Sequence, residues 1–131
     1  MTAISGVVFD LGGVVFESPI ERIAEFEHRQ RLEPQTVARV IRLQGEHGAW
    51  NRLERGEIDR AQFLEAFDGE FRQAGLVVDV ANLLREIESA LIVRPEMLEA
   101  VDRLREAGIT VAALTNNWSA MSGLPVAEHF D

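Results

Sequence analysis

The chain opens on a short apolar run, residues 3–9, that stops at Asp10 and passes directly into Leu11-Gly12-Gly13. A run of this length, closed by a polar residue and glycines, predicts a strand buried on both faces and then a tight turn. From Pro19 to about Leu91 the period changes. Ile20, Ile23, Ala24 and Phe26, then Val37, Val40, Ile41 and Leu43, then Ala61, Phe63, Leu64, Phe67 and Phe71 recur near every 3.6 residues with charges between them. That spacing predicts an insert of several short amphipathic helices, with breaks at Glu33-Pro34, Gly45 to Gly48, Gly56 and Gly75. Its aromatic residues, Trp50, Phe63, Phe67 and Phe71, are expected to form the insert's own core. Pro95 suits the first turn of a further helix, Glu96 favours its positive end, and Met97, Leu98, Val101 and Leu104 form one stripe ending at Gly108. Residues 109–114 are a second buried-strand run, closed by Thr115-Asn116-Asn117-Trp118.

The order is therefore strand, helical insert, helix, strand, with hinges expected at 16–19 and 91–95. Both apolar runs end in polar residues, and open parallel sheets carry their ligand sites at the carboxyl ends of strands. Two strands, each apolar enough to want neighbours on both sides, predict an incomplete sheet.

Composition narrows the function. With 131 residues the chain has the size of one domain, and 22 acidic against 13 basic residues give a net charge of -9. Such a surface repels polyanions and anionic bilayers, so neither a nucleic acid nor a membrane is expected as partner. No apolar run approaches the roughly 18 residues of a membrane-spanning helix. The absence of cysteine excludes disulfides, thiolate metal sites and a cysteine nucleophile and agrees with a cytoplasmic location. His28, His47 and His129 have no metal-ligand spacing. Every basic residue is arginine; there is no lysine.

Asp10 is the first residue with chemical promise. A carboxylate at a strand end can attack phosphorus to give an acyl phosphate if a divalent cation offsets the charge repulsion, although an aspartate in this position can equally serve only to cap a turn. Thr115 and Asn116 offer a hydroxyl, an amide and backbone amides for phosphoryl oxygens, or form an ordinary turn. The two strand ends taken together make a constellation that neither makes alone.

Val7-Val8-Phe9-Asp10-Leu11-Gly12-Gly13-Val14-Val15 resembles the first motif of the haloacid dehalogenase superfamily of aspartate-nucleophile phosphohydrolases, and 111–117, Val-Ala-Ala-Leu-Thr-Asn-Asn, resembles its second. Within that superfamily the likeness is to the branch of the N-terminal phosphatase domain of soluble epoxide hydrolase, through Thr115 to Trp118, Arg55-Gly56-Glu57-Ile58 and Arg94-Pro95-Glu96. The resemblance implies an α/β fold, a partial doubly wound, Rossmann-like parallel sheet. Residues 1–16 and 93–131 would form an incomplete core, and 17–92 an inserted α-helical cap.

The resemblance also implies roles. Asp10 would be the nucleophile and a magnesium ligand, and the main-chain carbonyl of Gly12 a second ligand. Leu11 and Gly12 through their amides, with Thr115 and Asn116, would bind the phosphate of a small phosphorylated metabolite. The expected activity is magnesium-dependent hydrolysis of a phosphate monoester through an aspartyl phosphate; the alternative is a non-catalytic phosphate-binding or protein-interaction module. Three departures predict impaired turnover. Gly12 stands where relatives carry a general-acid aspartate, no lysine or arginine follows Arg105, and Glu128 and Asp131 are the only acids after Thr115. The chain is accordingly expected to stop before the third and fourth motifs, and to self-associate or bind a complementing segment. A phospho-receiver domain fits the order of elements poorly, and haloacid dehalogenation fits the glycine loop poorly.

Overall fold

The computed structural model describes residues 3–116 and 126–131. Asn117 and Trp118, named above with the second strand end, lie outside these. The fold is mixed α/β, mostly helical, with one parallel sheet of two strands, β1 (Gly6–Asp10) and β2 (Thr110–Leu114), in keeping with a partial doubly wound sheet. Between the strands come α1 (Ile20–Arg29), α2 (Thr36–Gln44), α3 (Ala49–Glu54), α4 (Arg60–Gln73), α5 (Val80–Glu88) and α6 (Pro95–Glu106). Two compact units result. Among the described residues one takes in 3–19, Ala90–Thr115 and 126–131, and the other Ile20–Ser89 with Asn116.

In the first unit the strands pair in register, Gly6 with Thr110 through Asp10 with Leu114. Helix α6 makes the return between them, with Pro95 in its first turn, and Gly108 at φ 79° turns the chain into β2, a conformation that favours glycine. Val101 of α6 and Val111 of β2 are both fully buried. A second cluster, Leu11, Val15, Phe16 and Val126 with Phe9, Val93, Leu98 and Phe130 around it, holds the loop after β1 in place.

The expectation of strands buried on both faces is corrected here. Accessibility alternates along β1, and Val8 and Leu114, which share a face of the sheet, are 64% and 72% exposed. Side chains alternate across a strand, and the packing partners among the described residues cover one face only. The first strand also begins later than expected, at Gly6, and includes Asp10.

The chain leaves and re-enters this unit through two segments lying side by side. Phe16 and Val93 form an antiparallel bridge, Glu17 N donates to Ile92 O (2.9 Å), and Arg94 N donates to Val15 O (2.8 Å). At the far end of β2, Asp131 N donates to Val111 O (2.8 Å), and its carboxylate accepts from Val111 N (2.7 Å) and from Arg105 Nε (3.1 Å).

The helical unit has its own core. Phe63, Phe67 and Phe71 follow one another every four residues on α4, each essentially inaccessible, with successive ring centroids 4.9 Å apart. Trp50 leans against the first two rings at 6.1 and 6.2 Å. Local signals fix the helix starts: Asp59 and Gln62 make a reciprocal capping box on α4, and Asp79 accepts from Asn82 N on α5. Helix α2 has no cap of its own. Glu27 of α1, only 4% exposed, supplies one, accepting from Gln35 N (2.9 Å) and Val37 N (2.8 Å). A buried carboxylate is tolerated there because the unpaired amides and the positive end of α2 compensate its charge.

Two outcomes follow from these contacts. Glu27→Ala leaves two amides of α2 without their acceptor and is expected to lower stability by about 2–3 kcal/mol in urea denaturation, whereas Glu27→Gln, which keeps one acceptor, loses roughly half as much. Asp131 has its carboxyl held below the ordinary aspartate value, chiefly by the Val111 amide and then by Arg105. A lowered folded pKa stabilises above the unfolded value, so its contribution is complete above about pH 4 and disappears as pH falls through the lowered pKa. Asp131→Asn should flatten that part of the acid limb, and an unchanged limb would contradict the assignment.

Candidate active site at the strand ends

Asp10 is the last residue of β1, exposed, and paired in register with Leu114, the last residue of β2. Thr115 follows immediately, half-buried, so the two strand ends named by the sequence lie at the same end of one parallel sheet. Asn116 is the next residue in the chain and is exposed.

After Asp10 the chain makes a single wide turn, Leu11–Val15, closed by Phe16 N donating to Leu11 O at 2.9 Å. Leu11 and Val15 anchor its two ends, 3% and 0% exposed, so the backbone around Gly12 and Gly13 is what the turn offers to a ligand. The two glycines have different reasons to be there. Gly13 has φ 77°, where a side chain is strained, and the turn requires it. Gly12 has φ -66° and ψ 121°, open to any residue, and a Cβ added there would meet nothing within 4 Å. The fold therefore does not explain glycine at position 12, where a proton-donating side chain would fit.

A magnesium ion takes an octahedron of oxygens and is usually held by one or two carboxylates with water and substrate phosphate. The first strand end offers the Asp10 carboxylate and the Gly12 carbonyl, and among the described residues no group of three acidic, histidine or cysteine side chains is placed to hold a metal. These two donors alone do not make a magnesium site. Of the arginines in this unit, Arg105 is engaged with Asp131 and the Glu128 carbonyl. Arg94, read from the sequence only as the flank of Pro95, is tied through its backbone to Val15 at the end of the loop after β1. No sequence pattern announced this, because it depends on the pairing of two segments some eighty residues apart. The glycine contrast is directly measurable: Gly12→Ala is expected to leave the melting temperature unchanged or raise it, corresponding to about 0.4–1 kcal/mol, while Gly13→Ala lowers stability by more than that.

A family model described as haloacid dehalogenase-like hydrolase matches residues 4–131. The mouse protein called acyl-CoA dehydrogenase family member 10 is 31% identical over 120 residues, which are 89% of this chain and 11% of that protein. Among solved structures, a haloacid dehalogenase family enzyme from Bacteroides thetaiotaomicron, in complex with magnesium and inorganic phosphate, superposes with a TM-score of 0.57 at 22% identity over 89% of this chain and 55% of that one. The L-2-haloacid dehalogenase from Xanthobacter autotrophicus, with chloropropionic acid covalently bound, gives 0.56 at 20% identity over 98% and 55%. The chain thus spans about one-tenth of the curated relative and just over half of each of these solved chains. The family match over nearly the whole length, joined to an aspartate at the end of the first parallel strand, identifies the chain as a member of the haloacid dehalogenase-like hydrolases.

Proposed function

We propose that the chain carries the nucleophile half of a phosphate monoester hydrolase of the soluble epoxide hydrolase N-terminal phosphatase branch, acting on a small phosphorylated metabolite in the cytoplasm. The observation that carries this reading is Asp10 at the end of β1, in register with Leu114 and beside Thr115. The Asp10 carboxylate attacks phosphorus in line, the leaving oxygen departs, and water hydrolyses the aspartyl phosphate. Thr115 and Asn116, with the amides of Leu11 and Gly12, bind the phosphoryl oxygens in this reading. Magnesium would take oxygens from Asp10 and Gly12, with further donors supplied from beyond the described residues, and would offset the charge of the phosphate.

A second reading is a non-catalytic module that binds phosphate or a protein. What favours it is the loop itself: Leu11 to Val15 contain no proton donor, and Arg105 is committed elsewhere. The exposed apolar side chains Ile4, Val8 and Leu114 of the α/β unit support self-association or capture of a complementing segment in either reading. The chloropropionic acid covalently bound in the Xanthobacter enzyme makes a 2-haloacid the necessary control substrate.

The test is p-nitrophenyl phosphate against 2-chloropropionate, each with magnesium chloride, for the chain and for Asp10→Asn. The expected outcome is phosphate release well below about 1 per second, abolished by Asp10→Asn, with magnesium binding weaker than about 1 mM by calorimetry. Phosphate release indifferent to Asp10→Asn, or turnover of the chloride alone, would falsify the phosphatase reading. No release from either substrate, with phosphate still bound, would select the binding module.

A further inference from the structure

A short segment of the α/β unit, residues 126–131, touches both flanks of Asp10. Val126, 1% exposed, belongs to the buried cluster of Leu11, Val15 and Phe16 that seats the loop after β1. Phe130 stands edge-on to Phe9, the residue before Asp10, with ring centroids 6.3 Å apart. One side chain of the segment therefore packs on the strand just before Asp10, and another on the loop just after it.

The segment has little structure of its own. Ala127–His129 form one helical turn, closed by His129 N donating to Val126 O (3.1 Å) and Phe130 N to Ala127 O (3.3 Å). A lone turn costs more chain entropy than its hydrogen bonds return. What fastens the segment is a set of ties to its neighbours. His129 Nδ1 meets Asp102 Oδ1 of α6 at 2.9 Å. Arg105, on the same face of α6, donates Nε to Asp131 Oδ1 (3.1 Å) and Nη1 to the Glu128 carbonyl (3.3 Å). Asp131 then closes the end on both backbone groups of Val111. The two side-chain pairs are partly exposed, and pairs of that kind contribute little singly. Several weak fastenings hold this segment in place of one strong one.

We propose that residues 126–131 are a strap that opens as a unit before β2 or α6 does, and that its docking on these two elements sets the order of the loop after β1. Proteins open locally where backbone hydrogen bonds are few and buried contacts sparse. When the strap lifts, Val126 leaves the cluster and Leu11, Val15 and Phe16 lose its cover. The bond from Phe16 N to Leu11 O, which closes the loop, then loses its support. Docking of the strap and binding of any ligand that needs the loop ordered are linked equilibria, each favouring the other by the same factor. The inference concerns backbone order and stands apart from the reaction assigned to Asp10.

The test is native-state amide hydrogen exchange, followed by NMR on the 131-residue chain and on variants at the ties. Asp131→Ala removes the acceptor of Val111 N together with the partner of Arg105, and is expected to speed exchange of the Phe16 amide about tenfold. His129→Ala removes one partly exposed tie and should speed it about threefold. In His129→Ala the Asp131 amide should accelerate by a similar factor, as a segment opening in one piece requires, while amides in the middle of α6 and of α4 keep their rates. His129→Ala touches no backbone group of the sheet and decides the matter if Asp131→Ala does not fold. Phe16 exchange unchanged in a folded variant, or α6 amides accelerating as much as Phe16, would overturn the proposal.

Discussion

The parallel register of β1 and β2 is the constraint on which the rest of the α/β unit depends. Because side chains alternate across a strand, slipping β2 by one residue would turn the Val111 side chain out of the core and part Leu114 from its partner Asp10. The register is held from several sides. Val101 and Val111 are buried without remainder, Gly108 sets the entry to β2, and Asp131 engages both backbone groups of Val111. Positioning of Asp10 is thus a consequence of packing several residues away from it, and the loop that follows inherits that precision through the buried ends Leu11 and Val15.

The helical unit solves a different problem. Its helices are short, and isolated helices of nine or ten residues are marginal in water, so their ends and one shared apolar face must hold them. The phenylalanines of α4 give that face, and carboxylates on neighbouring helices give the ends: Glu27 for α2 and Glu70 for α3. Arg29 with Glu86 adds a bond between α1 and α5, although a partly exposed pair of this kind contributes little. Capping by a residue distant in sequence makes each helix conditional on the packing of another, which favours cooperative folding of this unit around its own core.

What could be read from the sequence divides along the same line. Local signals were legible: the period of the helices, Pro95 opening α6, the glycines at turns, and Asp10 at a strand end all express short-range rules. Long-range facts were not. Glu27 looks like one more charge on an amphipathic helix until α2 is seen to start beside it, Glu70 likewise, and Arg94 gives no sign that it pairs with Val15. The expectation of strands covered on both faces failed for a related reason. Apolar runs report what a strand needs in its surroundings, and the described residues cover one face of this sheet while Val8 and Leu114 stay exposed on the other. Of the residues assigned to the site, Asp10 and Thr115 could be placed by motif because each closes an apolar run, whereas the identity of Gly12 is a chemical matter that backbone geometry does not decide.

That last point links fold to chemistry. Gly13 is required by its positive φ, so its presence says nothing about the reaction. Gly12 occupies an ordinary conformation with open space around it, so the described residues give no structural reason for its lack of a side chain. A carboxylate attacking a phosphate dianion must overcome like-charge repulsion and then release an oxygen anion, and each step is eased by a group that this loop does not contain, a cation for the first and a proton donor for the second. In the proposed reading the same loop binds an oxyanion through its backbone. Attack, charge balance and protonation are therefore separable requirements of the proposed reaction, and the described residues of the α/β unit bear on the first of them alone: a carboxylate held at the end of a strand by a core that leaves it exposed.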